Sequence, residues 1–395
     1  MIVRFEPWGA WIKLESMPAV LALDRDGVRA LGLDGEAMWR TQPAAASAPI
    51  EVHLAVTARC GAGCEGCYLD ARPDGAEPER ASLERSLDAM RDAGVFTVAF
   101  GGGEPTTRDD IDVLARAARD RGITPVLTTS GLGLSEARAR KLRDFAQVNV
   151  SYDGPGEVYE RVRGFDGSAA AEQAIARLSQ AGVRVGVNVV LTRQSFPHVS
   201  GTLHRARALG ACEAQLLRYK PAGRAASLDY LARRLTEDQA RGLGPLLREL
   251  TLDLCDGGDD GFHVRIDCAL VPFLSADAAL REDPQSLARF GVLGCEAAGA
   301  LAAVTVDGRV APCSFAPATT LAGDALSQHA GDEELARWRR WVQAPPAPCD
   351  GCALRSVCKG GCKVVASFLE GAHGPDPECP RVRDWTREHR PRDLP

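Results

Sequence analysis

Between residues 51 and 220 the chain alternates short runs of apolar and polar positions with longer stretches whose apolar residues recur three and four apart. EVHLAVT, FTVAFGG, TPVLTTS, QVNVSYD, RVGVNVVL and AQLLRYK read as six strands, and LERSLDAMRDAG and AAAEQAIARLSQAG as helices between them. Strand, helix and strand at this spacing predict a parallel sheet with its ligands at the C-terminal strand ends. Six units predict an α/β fold, a partial (β/α)6 TIM-like barrel over residues 49–230. Before it, residues 1–48 form a short segment: VRFEPWGAWIKLE alternates like strands, LDRDGVRALGL reads as a short helix after a turn, and TQPAAASAP as a linker. Residues 231–290 read as a helical and loop bridge with a turn at GGDDG. From 291 to 395 Cys, Gly and Pro become dense and long periodic segments scarce, as in a small domain held by metal.

Composition narrows the function. Forty-seven Lys+Arg against 53 Asp+Glu give a net charge of −6, which argues against nucleic-acid and polybasic membrane contacts. No apolar run reaches the roughly 18 residues of a membrane span, and MIVRFEPWGAWIKLESM carries charges where a secretory segment is apolar. A cytoplasmic location is therefore expected, where 13 cysteines in a large chain point to metal ligands before disulfides.

The first cysteines, Cys60, Cys64 and Cys67, follow the first barrel strand as CGAGCEGCY. Three cysteines at this spacing arise by chance on the order of 0.01 times per chain. Three thiolates on one loop leave a tetrahedral zinc site incomplete but suit a four-iron cluster with one open iron. A zinc loop borrowing a distant fourth Cys is the alternative. One βα unit later, Gly101-Gly102-Gly103-Glu104-Pro105 closes a strand; the glycines permit close backbone approach and Glu104 offers an acceptor for an ammonium group.

Together CxxxCxxCY and GGGEP resemble the radical S-adenosylmethionine (radical SAM) enzymes. The resemblance implies that the three thiolates bind a four-iron, four-sulfur cluster, that SAM's methionyl amine and carboxylate take the open iron, and that reductive cleavage releases a hydrogen-abstracting 5′-deoxyadenosyl radical. It further implies SAM contacts from the backbone of Tyr68, from Gly102, Gly103 and Glu104, from Ser130 beside Thr129, and from Ser151 in NVSYDGP. Arg163 would meet the SAM carboxylate, and Asn188 in VGVNVVL the ribose or methionyl end. Ser151 and Asp153 as a strand-end turn, and Arg163 as a solvated charge, are the plainer readings.

A second set, Cys295, Cys313, Cys349, Cys352, Cys358, Cys362 and Cys379, resembles the seven-cysteine SPASM extension of radical SAM enzymes that modify peptides and proteins. The resemblance implies two auxiliary [4Fe–4S] clusters, three in all with the SAM cluster. Cys295, Cys313 and Cys362 would serve the inner one, and Cys349, Cys352, Cys358 and Cys379 the outer. Two cubanes need eight thiolates, and Cys268 is the choice for the eighth; otherwise the inner cluster has an open iron or a ligand other than Cys. Paired zinc ribbons are the alternative for the whole set. Cys212 and Cys255 have no assigned place.

LLRYKPAGRA resembles the family segment leading from barrel to extension, where Arg218, Lys220 and Arg224 would meet a carboxylate or the substrate, or simply form a basic rim. The family chemistry implies hydrogen abstraction followed by net oxidation of a peptide, a cross-link or dehydrogenation, most simply of a ribosomally made precursor. An external donor such as ferredoxin or flavodoxin would supply electrons. A formylglycine-forming sulfatase maturase, a small-alcohol dehydrogenase and a non-catalytic iron–sulfur or zinc scaffold are the alternatives. With about 48 residues before the barrel, leader recognition would fall to a separate protein or to residues 3–15 as an added strand, unless that segment caps the barrel bottom. Tyr152, Tyr219, Asp267 and Cys255 are candidates to quench or deprotonate the substrate radical.

Overall fold

The structure is a computed structural model and describes residues 1–14, 20–35, 39, 46–254, 261–340, 344–371 and 373–389. Cys255 lies outside the described residues.

Six parallel strands follow one another in space as in sequence: β4 (Glu51–Thr57), β5 (Thr97–Gly102), β6 (Thr124–Thr129), β7 (Gln147–Ser151), β8 (Val185–Leu191) and β9 (Glu213–Arg218). Helices such as Arg80–Asp92, Ile111–Asp120, Ser168–Gln180 and Val199–Ala208 connect them. One face of each strand packs under these helices: Val52, Leu54 and Val56 of β4 meet the layer that holds Leu83, Leu87 and Met90. The other face lines a hollow interior with Glu51, His53, Thr128, Asn149 and Gln215. That division explains the alternating pattern, since parallel strands covered on both faces are ordinarily apolar throughout.

The sheet is wider than six strands. β10 (His263–Ile266) adds in parallel to β9, β11 (Leu301–Val304) adds in parallel to β4, and β12 (Val310–Ala311) runs antiparallel to β11. Eight parallel strands therefore form the wall among the described residues, two of them four residues long and too short to show a period. Their pairing brings segments 261–266 and 301–311 against the barrel edges.

The N-terminal strands β1 (Ile2–Glu6), β2 (Gly9–Lys13) and β3 (Val20–Asp24) make a separate antiparallel sheet with β2 in the middle. It caps the barrel bottom. Arg4 donates to the carbonyls of Ala48, Pro49 and Gly94 at 2.8–2.9 Å, and Lys13 to those of Phe96 and Gly122 at 3.2 and 2.9 Å. Within this sheet β2 is paired on both sides, whereas β1 and β3 are outer strands, each paired with β2 alone among the described residues. Among the described residues no helix is long and apolar enough to cross a membrane.

Candidate active site

The loop carrying Cys60, Cys64 and Cys67 leaves the C-terminal end of β4 and is held from several directions. Cys60 N–H donates to Arg72 O at 2.9 Å and Glu65 N–H to Arg163 O at 3.0 Å. Arg224 grips it most fully: Nε and Nη2 donate to Cys64 O at 3.0 and 2.9 Å, Nη1 to Asp70 Oδ1 and Ala71 O at 2.9 Å, and its backbone N–H to Cys67 O at 2.9 Å. Gly223 makes this approach possible. At φ 55° its place for a Cβ lies 2.5 Å from the Tyr68 carbonyl carbon, so a side chain would push the loop away.

GGGEP supports the same loop from the next strand. A Cβ on Gly102, whose φ is 116°, would fall 2.2 Å from Thr57 O, and Gly103 N–H donates to that carbonyl at 2.7 Å. The glycines thus approach backbone. Glu104 is buried and fully engaged: Oε1 accepts from Thr106 N–H at 3.1 Å and from the Thr106 and Thr129 hydroxyls at 2.7 Å, Oε2 from Ser130 N–H at 2.7 Å and its hydroxyl at 2.5 Å. Its carboxylate fixes the Thr129–Ser130 strand end.

Cys60, Cys64, Cys67, Tyr68, Gly102, Gly103, Ser130, Ser151, Arg163 and Asn188 all border one open cavity of about 1100 Å³ that runs through the barrel; Glu104 stands behind its wall. Arg163 donates through Nε to Asp153 Oδ2 at 2.5 Å, and Asp153 Oδ1 accepts Val190 N–H at 2.6 Å. Burial works against the guanidinium's charge, yet the Asp153 carboxylate and nearby Cys64 raise its pKa. Asn188 Oδ1 is buried with no hydrogen-bond partner. An orphaned acceptor on this wall, beside three thiols and a charged Arg, fits a polar ligand such as SAM. Burial pushes Cys60 up, with Glu104 and the thiols of Cys64 and Cys67 adding to it, so a cationic cluster core is what would hold these sulfurs as thiolates.

The remaining cysteines fall into two neighbourhoods. Cys268 feels Cys295 and Cys362, and Cys313 also feels Cys295 and Cys362; burial pushes Cys313 to about 12 and Cys362 to about 11. Cys349, Cys352, Cys358 and Cys379 line one small pocket, and Cys349 is pushed up to about 12 by burial and by Cys379 and Cys352. Among the described residues no group of three or more His, Cys, Asp or Glu side chains is already gathered around a single point. Cys212 lies apart, its thiol donating to Val185 O at 3.3 Å.

Arg218 is not a rim residue. With its side chain 2% exposed, it donates to both Asp376 oxygens at 2.5 and 3.0 Å, to Glu378 Oε2 at 2.7 Å and to Ala269 O at 2.9 Å. Lys220 pairs with buried Asp267 and sits 4.2 Å from the Phe315 ring centroid. Both cations stop at internal carboxylates because burial leaves no room for an unpaired charge. Tyr152, another candidate for the radical, donates to Glu172 Oε1 at 2.7 Å.

A wall bearing a three-thiol loop at the top of a parallel barrel defines an enzyme that works on a ligand held at the strand ends. The family model for the radical SAM superfamily matches residues 54–205. The chain is 32% identical over 360 residues to mycofactocin maturase MftC of Mycolicibacterium smegmatis, covering 86% of this chain and 84% of that protein. It belongs to the radical SAM superfamily, as the two motifs implied. A PqqA peptide cyclase of Rhodopseudomonas palustris is 28% identical over 351 residues, covering 84% and 86%. The fold matches Streptococcus suis SuiB, solved bound to its precursor peptide SuiA, with a TM-score of 0.72 at 17% identity over 95% of this chain and 98% of that one. Membership brings SAM and one four-iron, four-sulfur cluster as cofactors.

Proposed function

We propose that this enzyme is a SPASM-type maturase that oxidatively modifies a ribosomally made peptide. The observation that carries the reading is the shared wall: Ser314 and Phe315, next to Cys313, border the same cavity as Cys60, Cys64 and Cys67. Relatives named as a peptide cyclase and a maturase over more than four fifths of their length support the peptide class.

In this reading Cys60, Cys64 and Cys67 hold the SAM cluster, Cys268, Cys295, Cys313 and Cys362 an inner auxiliary cluster, and Cys349, Cys352, Cys358 and Cys379 an outer one. When bound, these groups supply a primary carbon radical from SAM and acceptors for the electron that substrate oxidation releases. The chain's own residues orient and shield. Asn188 offers its free carbonyl oxygen and Arg163 its guanidinium to SAM, Glu104 fixes Ser130, and Gly102 and Gly103 hold the loop at the strand ends. A ferredoxin or flavodoxin supplies the reducing electron, and the leader is presented by a separate protein or pairs with an outer strand of the N-terminal sheet, where β1 and β3 each bond β2 on one side. The substrate in this reading is a peptide segment, and the reaction runs in the cytoplasm.

Anaerobic reconstitution tests the reading. Iron near 12 per chain is expected for three cubanes. SAM with a reductant should give 5′-deoxyadenosine, and Cys64→Ala should abolish it. Co-expression with short peptides encoded beside the gene should yield one that loses two hydrogens by mass, and Cys352→Ala should lose that product while cleaving some SAM. Iron near four, or normal product from Cys352→Ala, overturns the auxiliary clusters.

A further inference from the structure

The pocket of the outer cysteines holds a hydrogen-bond donor that no described residue satisfies. Arg381, in the first turn of helix Pro380–His389, borders this pocket together with Cys349, Cys352, Cys358 and Cys379. Its Nη2 donates to Gly351 O at 3.4 Å, between Cys349 and Cys352, and its charge reaches the Cys349 thiol. Its Nε is buried and has no hydrogen-bond partner among the described residues. A buried N–H left unpaired is costly and uncommon in a folded chain, so this one marks the place of an acceptor.

Ser275 brings a second donor to the same pocket. It is buried, and its hydroxyl lies 3.3 Å from Cys379 Sγ. A thiolate on iron can only accept, so there the serine donates. The carboxylate on the pocket does not cancel these groups. Asp376 accepts from Arg218 at 2.5 and 3.0 Å and from the N–H groups of Cys362 and Glu378 at 2.9 and 3.0 Å. Arg355, the other cation on the pocket, donates to Asp350 O at 3.1 Å near the surface.

We propose that Arg381 gives its Nε–H to a sulfur of the outer cluster and thereby raises that cluster's reduction potential, with Ser275 adding to the effect through Cys379. The proposal rests on the assignment of those four cysteines to an iron–sulfur cluster and says how the chain tunes it. Reduction adds one electron and one negative charge to the cluster, and no atom moves. A guanidinium and a second donor favour the more negative state, and they do so more strongly where water is excluded. The cluster so held takes an electron more readily than four thiolates alone would allow.

The test uses the full-length protein, reconstituted anaerobically, with the outer cluster's electron paramagnetic resonance signal identified as the one that Cys352→Ala removes. Arg381→Leu should keep iron near 12 per chain. At one fixed potential its ratio of reduced to oxidised outer cluster should fall at least tenfold, a shift of about 59 mV for one electron. Arg381→Lys, which keeps the charge and loses the Nε–H, should lower the ratio about threefold, and Ser275→Ala should lower it by less than Arg381→Leu. An unmoved ratio in Arg381→Leu at full iron overturns the proposal. Should only Arg381→Lys load fully, an unmoved ratio in that variant overturns it. Loss of about four irons from both arginine variants makes Arg381 a holder of the fold and also overturns it. Iron near eight in the unaltered protein, with no signal that Cys352→Ala removes, overturns the outer cluster itself and the proposal with it.

Discussion

The barrel and the C-terminal cysteine-rich region are held by different forces. Under the barrel helices, Val52, Leu54, Val98, Phe100, Leu127, Val148 and Val150 are at most 1% exposed, and apolar burial of this kind is worth roughly 1.5–3 kcal/mol per side chain. The C-terminal region buries fewer large apolar residues and several charged ones, Asp376, Glu378 and Lys363 among them. Its strongest tie to the barrel is ionic: Arg218, Arg234 and Tyr230 converge on Asp376 and Glu378, and Asp376 in turn accepts Cys362 N–H at 2.9 Å. A core that solvation forces assemble tolerates loss of a ligand; a region organised around thiols and paired charges does not.

Removing iron should therefore separate the two regions most sharply. Chelation is expected to open residues 344–379 to limited proteolysis while barrel amides stay protected in hydrogen exchange; equal loss in both would erase the contrast. Next comes Arg218→Met, which strands two buried carboxylates and should cost about 3–5 kcal/mol in urea denaturation.

The seam between the regions gives a third effect. His329 is wholly buried where segment Gly323–Gln328 packs on helix Arg80–Asp92, and neither ring nitrogen has a partner. Burial, with Arg339 and Arg4 nearby and Asp332 opposing, holds its imidazole down to about 4 from 6.5. A depressed histidine leaves stability whole above pH 6.5; between 6.5 and 4 the unfolded chain binds a proton that the folded chain refuses. The loss should be on the order of 3 kcal/mol and vanish in His329→Leu, measured by denaturation across pH.

Smaller effects fall within the barrel. Glu104→Gln sets an amide against donors now served by a carboxylate and should cost about 1–3 kcal/mol, with weaker SAM binding by calorimetry as Ser130 shifts. Arg116→Ala breaks exposed pairs with Asp112 and Asp144 and should move stability by at most about 1 kcal/mol.

Local pattern alone determined the six barrel strands, the cysteine loop behind the first and the two resemblances, because periodicity and ligand spacing are carried by neighbours in the chain. Strands β10 and β11 escaped it, four residues being too few for a period. Tertiary structure decided which distant groups meet. It put Cys268 within electrostatic reach of Cys295 and Cys362, turned Arg218 inward to Asp376, closed Arg224 over the Cys64 carbonyl, and brought Ser314 within 2.7 Å of His53 across 261 positions. It also set the Glu104 carboxylate against Thr106, Thr129 and Ser130, all of which donate to it. The physical reason is common to all of these: a buried polar group must find a partner, and which one lies within reach depends on how the strands are stacked, which no local spacing encodes.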